Sequence, residues 1–122
     1  LIKTLVKELK LKVNINGCKT IREDDGLAMS SRNKLLNIEE RKIAKNIIRL
    51  LKKAKKLYKN STLEETKSEI FKDAILIKNL NLEYFEILDL SMISDFLEEG
   101  EEIRAFIACK VGKIRLIDNI II

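Results

Sequence analysis

The spacing of apolar residues changes once along this chain, and that change constrains the fold more than any other feature. From residue 38 onward Ile43, Ile47, Leu51, Ala54 and Tyr58 recur every third or fourth position. This predicts a long helix over 38–59. Asn37 stands three residues before Glu40, the layout of a capping box at its start. Asn60 and Ser61 mark a break, and Thr62 with Glu65 marks a second start. Leu63, Thr66, Ile70, Ala74 and Ile77 carry that second helix to about Leu80. From residue 82 the period drops to two. Leu82, Tyr84, Glu86 and Leu88 alternate with Glu83, Phe85, Ile87 and Asp89. Both sets hold apolar residues, so this strand is expected to be covered on much of each face. Residues 91–97 read as one short helical turn. Ile103, Ala105, Ile107 and Cys109 form a second strand, Val111-Gly112-Lys113 a turn, and Ile114, Leu116 and Asp118 the hairpin partner. The expected class is α+β: two helices packed on one face of a small, about three-stranded antiparallel sheet.

The first residues follow another plan. Leu1, Leu5 and Leu9, with Ile2 and Val6, have i, i+4 spacing and predict a short amphipathic helix over 1–11. Val13, Ile15 and Gly17 then alternate with Lys12, Asn14 and Asn16 as in a half-buried strand. A helix and a strand in this order look like the last unit of an α/β domain whose sheet partners lie upstream. The chain starts at Leu1 rather than methionine, so it is expected to be a piece of a longer protein.

Composition narrows the chemistry. The 122 residues have the size of a single domain, able to bury roughly two thirds of the unfolded surface without staples. No apolar run approaches the ~20 residues of a bilayer span. With 0 histidines, most zinc sites and every histidine-based triad are excluded. Two cysteines, Cys18 and Cys109, make neither a metal cage nor a disulfide framework, and fit a reducing cytoplasm. Cys109 reads as a buried structural thiol. Neither glycine-rich phosphate signature occurs among the four glycines. Glu98, Glu99, Glu101 and Glu102 around Gly100 lack calcium-loop spacing and read as a solvated turn.

The net charge is +5, so anionic partners come into view. Arg41, Lys42, Lys45, Arg49, Lys52, Lys53, Lys55, Lys56 and Lys59 follow one another with no intervening acid. Several lie on one helix face. That face is either solvated or a phosphate-backbone stripe, the latter making the chain a non-enzymatic basic nucleic-acid-binding module. No aromatic interleaves before Tyr58, which favours the solvated reading.

Between Lys19 and Asn37 periodicity stops, and Asp24, Asp25, Gly26, Ser30, Ser31 and Asn33 are turn formers. A long loop of this kind is often functional. It sets a turn at Asp25-Gly26 before two hydroxyls, Ser30 and Ser31, and the guanidinium of Arg32. Hydroxyls and loop N–H groups donate to phosphate oxygens, and an arginine binds them bidentately. Such a set also occurs in ordinary capped loops, and composition alone leaves both readings open.

The whole stretch Thr20-Ile21-Arg22-Glu23-Asp24-Asp25-Gly26-Leu27-Ala28-Met29-Ser30-Ser31-Arg32-Asn33, followed by a leucine pair and Glu39-Glu40-Arg41-Lys42-Ile43-Ala44, closely resembles the pantoate–β-alanine ligase family. Residues 1–17 resemble the helix and strand that end that family's nucleotide-binding domain. Arg115-Leu116-Ile117-Asp118-Asn119 resembles its near-terminal motif. The resemblance implies a Rossmann-like domain ending at residue 17 and a C-terminal, ATP-closing domain over 18–122. It implies an ATP-dependent, AMP-forming ligation of pantoate and β-alanine through pantoyl adenylate, assisted by Mg2+. The full-length protein would be a cytoplasmic homodimer, with no nucleic-acid or membrane partner.

By the same resemblance Ile21, Met29, Ser30, Ser31 and Arg32 contact ATP, and Arg32 is catalytic, steadying charge on the leaving pyrophosphate. No metal ligand is implied in this chain. The family's histidine motif is absent, Lys19 stands where proline is usual, and Lys34-Leu35-Leu36 replaces a residue followed by Tyr-Leu. The chain is therefore expected to carry one half of an active site and to be inactive alone. The apolar end Ile120-Ile121-Ile122 hints at self-association through the sheet.

Overall fold

The computed structural model describes residues 2–89 and 103–122. Both capping boxes form. The Asn37 side chain accepts from the Glu40 N–H at 2.8 Å while the Glu40 carboxylate accepts from the Asn37 N–H at 2.9 Å. Thr62 and Glu65 repeat the exchange at 3.2 and 2.8 Å. Each box satisfies two of the N–H groups that a helix start leaves without partners.

The expected helix over 38–59 is two helices, α2 (Ile38–Ala44) and α3 (Asn46–Leu57). At the junction the Asn46 side-chain amide donates to the Ile43 carbonyl at 2.9 Å. It competes for the acceptor that the next turn of helix would use. Backbone bonds on either side of Lys45 are long, at 3.3 and 3.4 Å, yet the axis continues because Lys45 keeps helical dihedrals. The helix α4 spans Leu63–Ile75 and stops short of residue 80. Asn79 adopts φ +64°, a left-handed conformation that asparagine tolerates. It turns the chain so that Leu80 opens a strand.

Strands β1 (Leu80–Asp89), β2 (Ile103–Val111) and β3 (Ile114–Ile121) form an antiparallel sheet in the order β1-β2-β3. A β-bulge in β1 lies between Leu82, opposite Cys109, and Tyr84, opposite Ala108. The extra residue, Glu83, switches the face to which the strand's alternate residues point. Leu80 and Leu82 face the helices before it, Phe85 and Ile87 after it. This overturns the expectation of a strand covered on both faces: Tyr84 and Leu88 are each 39% exposed. The apolar residues in both alternating sets reflect a phase change within one buried face.

Helix α3 buries Ile47, Ile48, Leu50, Leu51 and Ala54, packing against β2 and β3, while α4 buries Ile70 and Ala74, packing against β1. Phe85, Ile107, Cys109 and Val111 supply the sheet's half of the core. The architecture is the expected α+β arrangement.

At the other end, α1 (Ile2–Glu8) forms as predicted but buries none of its residues. The predicted strand over 13–17 does not form, and Val13 is 54% exposed. A strand is held by ladder bonds, and no described residue supplies an edge to it. The expected helical turn over 91–97 and the glutamates around Gly100 lie outside the described residues. No helix among the described residues is long and apolar enough to cross a membrane.

Candidate functional site

The segment read as a structureless loop is ordered. Its local chemistry explains why. Arg22 and Ala28 pair as an antiparallel bridge. Backbone bonds of 2.9 Å from Glu23 N–H to the Leu27 carbonyl and from Met29 N–H to the Ile21 carbonyl flank that bridge. Between them the Gly26 N–H donates to the Glu23 carbonyl at 2.8 Å, closing a tight turn. Gly26 sits at φ +86°, a conformation that favours glycine. Leu27 then points inward and joins the core. Ser30 caps a 3₁₀ turn over Ser31–Leu35, its Oγ accepting from the Arg32 N–H at 3.2 Å.

Side chains brace this small hairpin from three directions. From the sheet, the buried carboxylate of Asp118 accepts both arms of Arg22, at 2.7 and 3.1 Å. Arg22 also donates to the Gly26 carbonyl at 3.1 Å and to the Asn119 carbonyl at 3.2 Å. From α2, Arg41 donates to Asp25 Oδ2 at 2.9 Å and to Glu23 Oε2. From the 3₁₀ turn, buried Asn33 donates to the Ala28 carbonyl at 2.9 Å and to Glu23 Oε1 at 2.5 Å. The bonds from Asn33 and Arg41 hold the Glu23 carboxyl below its ordinary value. The Arg41 hydrogen bond does the same for Asp25. Both acids therefore stay charged and paired at neutral pH.

The hairpin and the serine turn frame an open groove of about 780 Å³, lined by Arg22, Met29, Ser30, Ser31, Lys34 and Arg41 together with the acids of the turn. The structure thus brings three of the five expected residues, Met29, Ser30 and Ser31, to one groove. Arg32 lines a second, smaller hollow of about 260 Å³ that Met29 and Ser30 also line, and its Nη1 donates to the Arg115 carbonyl at 3.5 Å. Ile21 is 68% exposed and lines neither hollow, but its carbonyl holds Met29 in place. The Ser30 oxygen accepts within the turn, which leaves its O–H to donate outward. The Ser31 hydroxyl has no partner among the described residues. Two outward hydroxyls beside Lys34 can donate to an anion.

Sequence reasoning gave Arg22, Asn33, Arg41 and Asp118 no role in the site. All four lay inside the motifs that carry the resemblance, but Arg22 and Asp118 are 96 positions apart, and no spacing rule reports such a pair.

Part of the basic stripe is paired within the chain. Besides Arg41, Lys42 bonds Glu39 at 2.8 Å, Lys53 bonds Asp73 at 2.9 Å, and Lys55 donates to the Ile121 carbonyl at 3.0 Å. The nucleic-acid alternative gains no support from this arrangement.

Comparison with known proteins agrees with the motifs. The profile of the family described as Pantoate-beta-alanine ligase matches residues 1–121. A pantothenate synthetase of Christiangramia forsetii is 40% identical over 122 residues, covering 98% of this chain and 43% of that protein. The crystal structure of pantothenate synthetase from Thermus thermophilus superposes with a TM-score of 0.83 at 27% identity, over 98% of this chain and 44% of that one. A pantoate-beta-alanine ligase of Francisella tularensis, solved in complex with beta-gamma ATP and beta-alanine, gives a TM-score of 0.65 at 32% identity, over 98% and 38%. The chain spans less than half the length of each of these relatives, and by profile, sequence and fold it belongs to the pantoate–β-alanine ligase family.

Proposed function

We propose that this chain is the C-terminal, nucleotide-grasping part of an ATP-dependent pantoate–β-alanine ligase. Residues 1–17 would be the end of the preceding nucleotide-binding domain and residues 18–122 the ATP-closing domain. In this reaction a pantoate carboxylate oxygen attacks the α-phosphorus of ATP, and the bond to the β-phosphate breaks, releasing pyrophosphate. The β-alanine amine then attacks the acyl carbon, an amide forms, a proton is lost and AMP leaves. The Ile21 backbone would meet the adenine side of ATP, Met29 would belong to the loop that closes on the nucleotide, and Ser30 and Ser31 would donate to phosphate oxygens. Arg32 would turn from its place beside Arg115 to offset charge on the departing pyrophosphate. The full-length protein would act as a homodimer.

The observation that carries this reading is the outward pair of hydroxyls on a turn that directly follows a hairpin braced from three sides. Donors held in place before the substrate arrives lose little on binding it. Magnesium would neutralise phosphate charge when bound. Nucleotide phosphates and water can supply most of its ligands, and no step through it is assigned to this chain.

A fusion tests the proposal, with residues 1–122 replacing the matching C-terminal part of the Christiangramia forsetii relative. The fusion should form pantothenate, and residues 1–122 alone should not. Arg32→Ala in the fusion should lower kcat by about 10²–10³, the scale for one preorganised donor. Unchanged adenylate formation in that variant would refute the role given to Arg32.

A further inference from the structure

The geometry points to Asp118 as a positioning residue: its carboxylate, acting through the Arg22 guanidinium, sets where the Ile21–Ala28 hairpin and the serine turn after it stand. This rests on the reading that Ser30 and Ser31 grasp the nucleotide.

Asp118 lies on β3, opposite Ile107 in the middle of the sheet, with its side chain 2% exposed. Its Oδ1 accepts from Arg22 Nη2 at 3.1 Å and from the Asn119 N–H at 2.7 Å, and its Oδ2 from Arg22 Nη1 at 2.7 Å. The Arg22 fork reaches past the carboxylate to two backbone carbonyls, one on the sheet at Asn119 and one on the turn at Gly26. A single planar cation thereby ties β3 to the apex of the hairpin. Lysine could not reproduce this, since it lacks the paired, coplanar donors. A well-packed apolar pair at such a place is often as stable as an ion pair or more so. What the fork adds is a fixed angle between sheet and hairpin. The Met29 N–H bonds the hairpin's other strand at Ile21, and Ser30 follows at once, so the angle of the hairpin is also the placement of the hydroxyls.

Two measurements on Asp118→Asn and Arg22→Lys decide the matter. In the 122-residue chain, hydrogen exchange should show at least a tenfold loss of protection at the Gly26 and Met29 amides, the scale of one lost charged partner. Phe85 on β1 should be unaffected. In the fusion described above, KM for ATP should rise about tenfold to a hundredfold, the scale of a displacement on the order of 1 Å, with KM for β-alanine unchanged. A purely structural role would lower the active fraction, and so kcat, with both KM values kept. Unchanged protection at Gly26 and Met29 overturns the mechanical link. Lost protection with an unchanged KM for ATP overturns the positioning role. A wild-type fusion without ligase activity counts against the functional reading instead, and the exchange data then decide the mechanical link by themselves.

Discussion

Gly112 sits where a β-carbon would collide with the Glu40 carboxylate. The turn between β2 and β3 here abuts the first turn of α2, and the Glu40 side chain can swing aside only by disturbing the cap it serves. Gly112 is held at φ +57°, and the other Glu40 oxygen accepts from the Asn37 N–H at 2.9 Å. Gly112→Ala must therefore strain the turn and push Glu40 out of its capping box. We expect a loss of about 1–3 kcal/mol, the sum of a left-handed alanine and a damaged cap. A urea denaturation midpoint reads it. Gly17→Ala is the control: nothing lies within 4 Å of a β-carbon there, so its midpoint should move by less than about 0.5 kcal/mol equivalent.

The acids of the hairpin make stability depend on pH through Arg41. Glu23 and Asp25 titrate below their ordinary values of 4.5 and 3.8 in the folded chain. A carboxyl lowered by folding contributes stability above its unfolded pKa and loses it as pH falls through the folded one. Arg41→Ala should thus destabilise the chain most at pH 6–7. Its difference from wild type should begin to narrow as pH falls below about 4.5, the ordinary value of Glu23, and close only once both folded carboxyls, which titrate lower, are protonated. Melting curves across pH 2–7 test this, and a difference independent of pH would contradict the pairing.

The two cysteines should separate cleanly by reactivity. Cys109 is fully buried in the core, and burial pushes its thiol up to about 12. Cys18 is exposed. At pH 8 a thiol reagent should label Cys18 within minutes and leave Cys109 untouched until denaturant is added, because the thiolate is the reacting form. Mass spectrometry of the native chain should show one adduct. Two adducts at the native rate would mean that the sheet opens at β2.

Ser30 and Ser31 are adjacent yet carry different structural duties. Ser30→Ala removes the acceptor for the Arg32 N–H and should lower stability by about 0.5–1 kcal/mol, in the lower part of the cap range. Ser31→Ala removes no bond among the described residues and should stay within about 0.5 kcal/mol of wild type. In the fusion, both should raise KM for ATP. Ser31→Ala separates the ligand's loss from the fold's, since stability there is unchanged.

Both helix starts were legible from neighbouring residues, because a capping box is complete within four positions and needs nothing from afar. The α+β class followed from the change of apolar period for the same reason. Boundaries set by longer-range contacts were not legible. The bulge at Glu83 makes one buried face resemble two, and the shift shows only once β2 supplies the register. The division at Lys45 depends on an asparagine side chain choosing a backbone carbonyl over solvent. The helix read to about Leu80 stops at Ile75, and the left-handed Asn79 then turns the chain into β1.

The candidate site divides along the same line. The residue types able to hold an anion, Ser30, Ser31 and Arg32, could be read directly, as could the family whose motif they complete. Their arrangement could not. It depends on Asp118 meeting Arg22 across 96 positions and on Arg41 reaching back from α2 to Glu23 and Asp25. Hydrogen bonds between near neighbours are written into spacing, because covalent geometry already brings the partners together. An ion pair that links β3 to a distant turn exists only after the core has placed both, so its evidence lies in the packed chain.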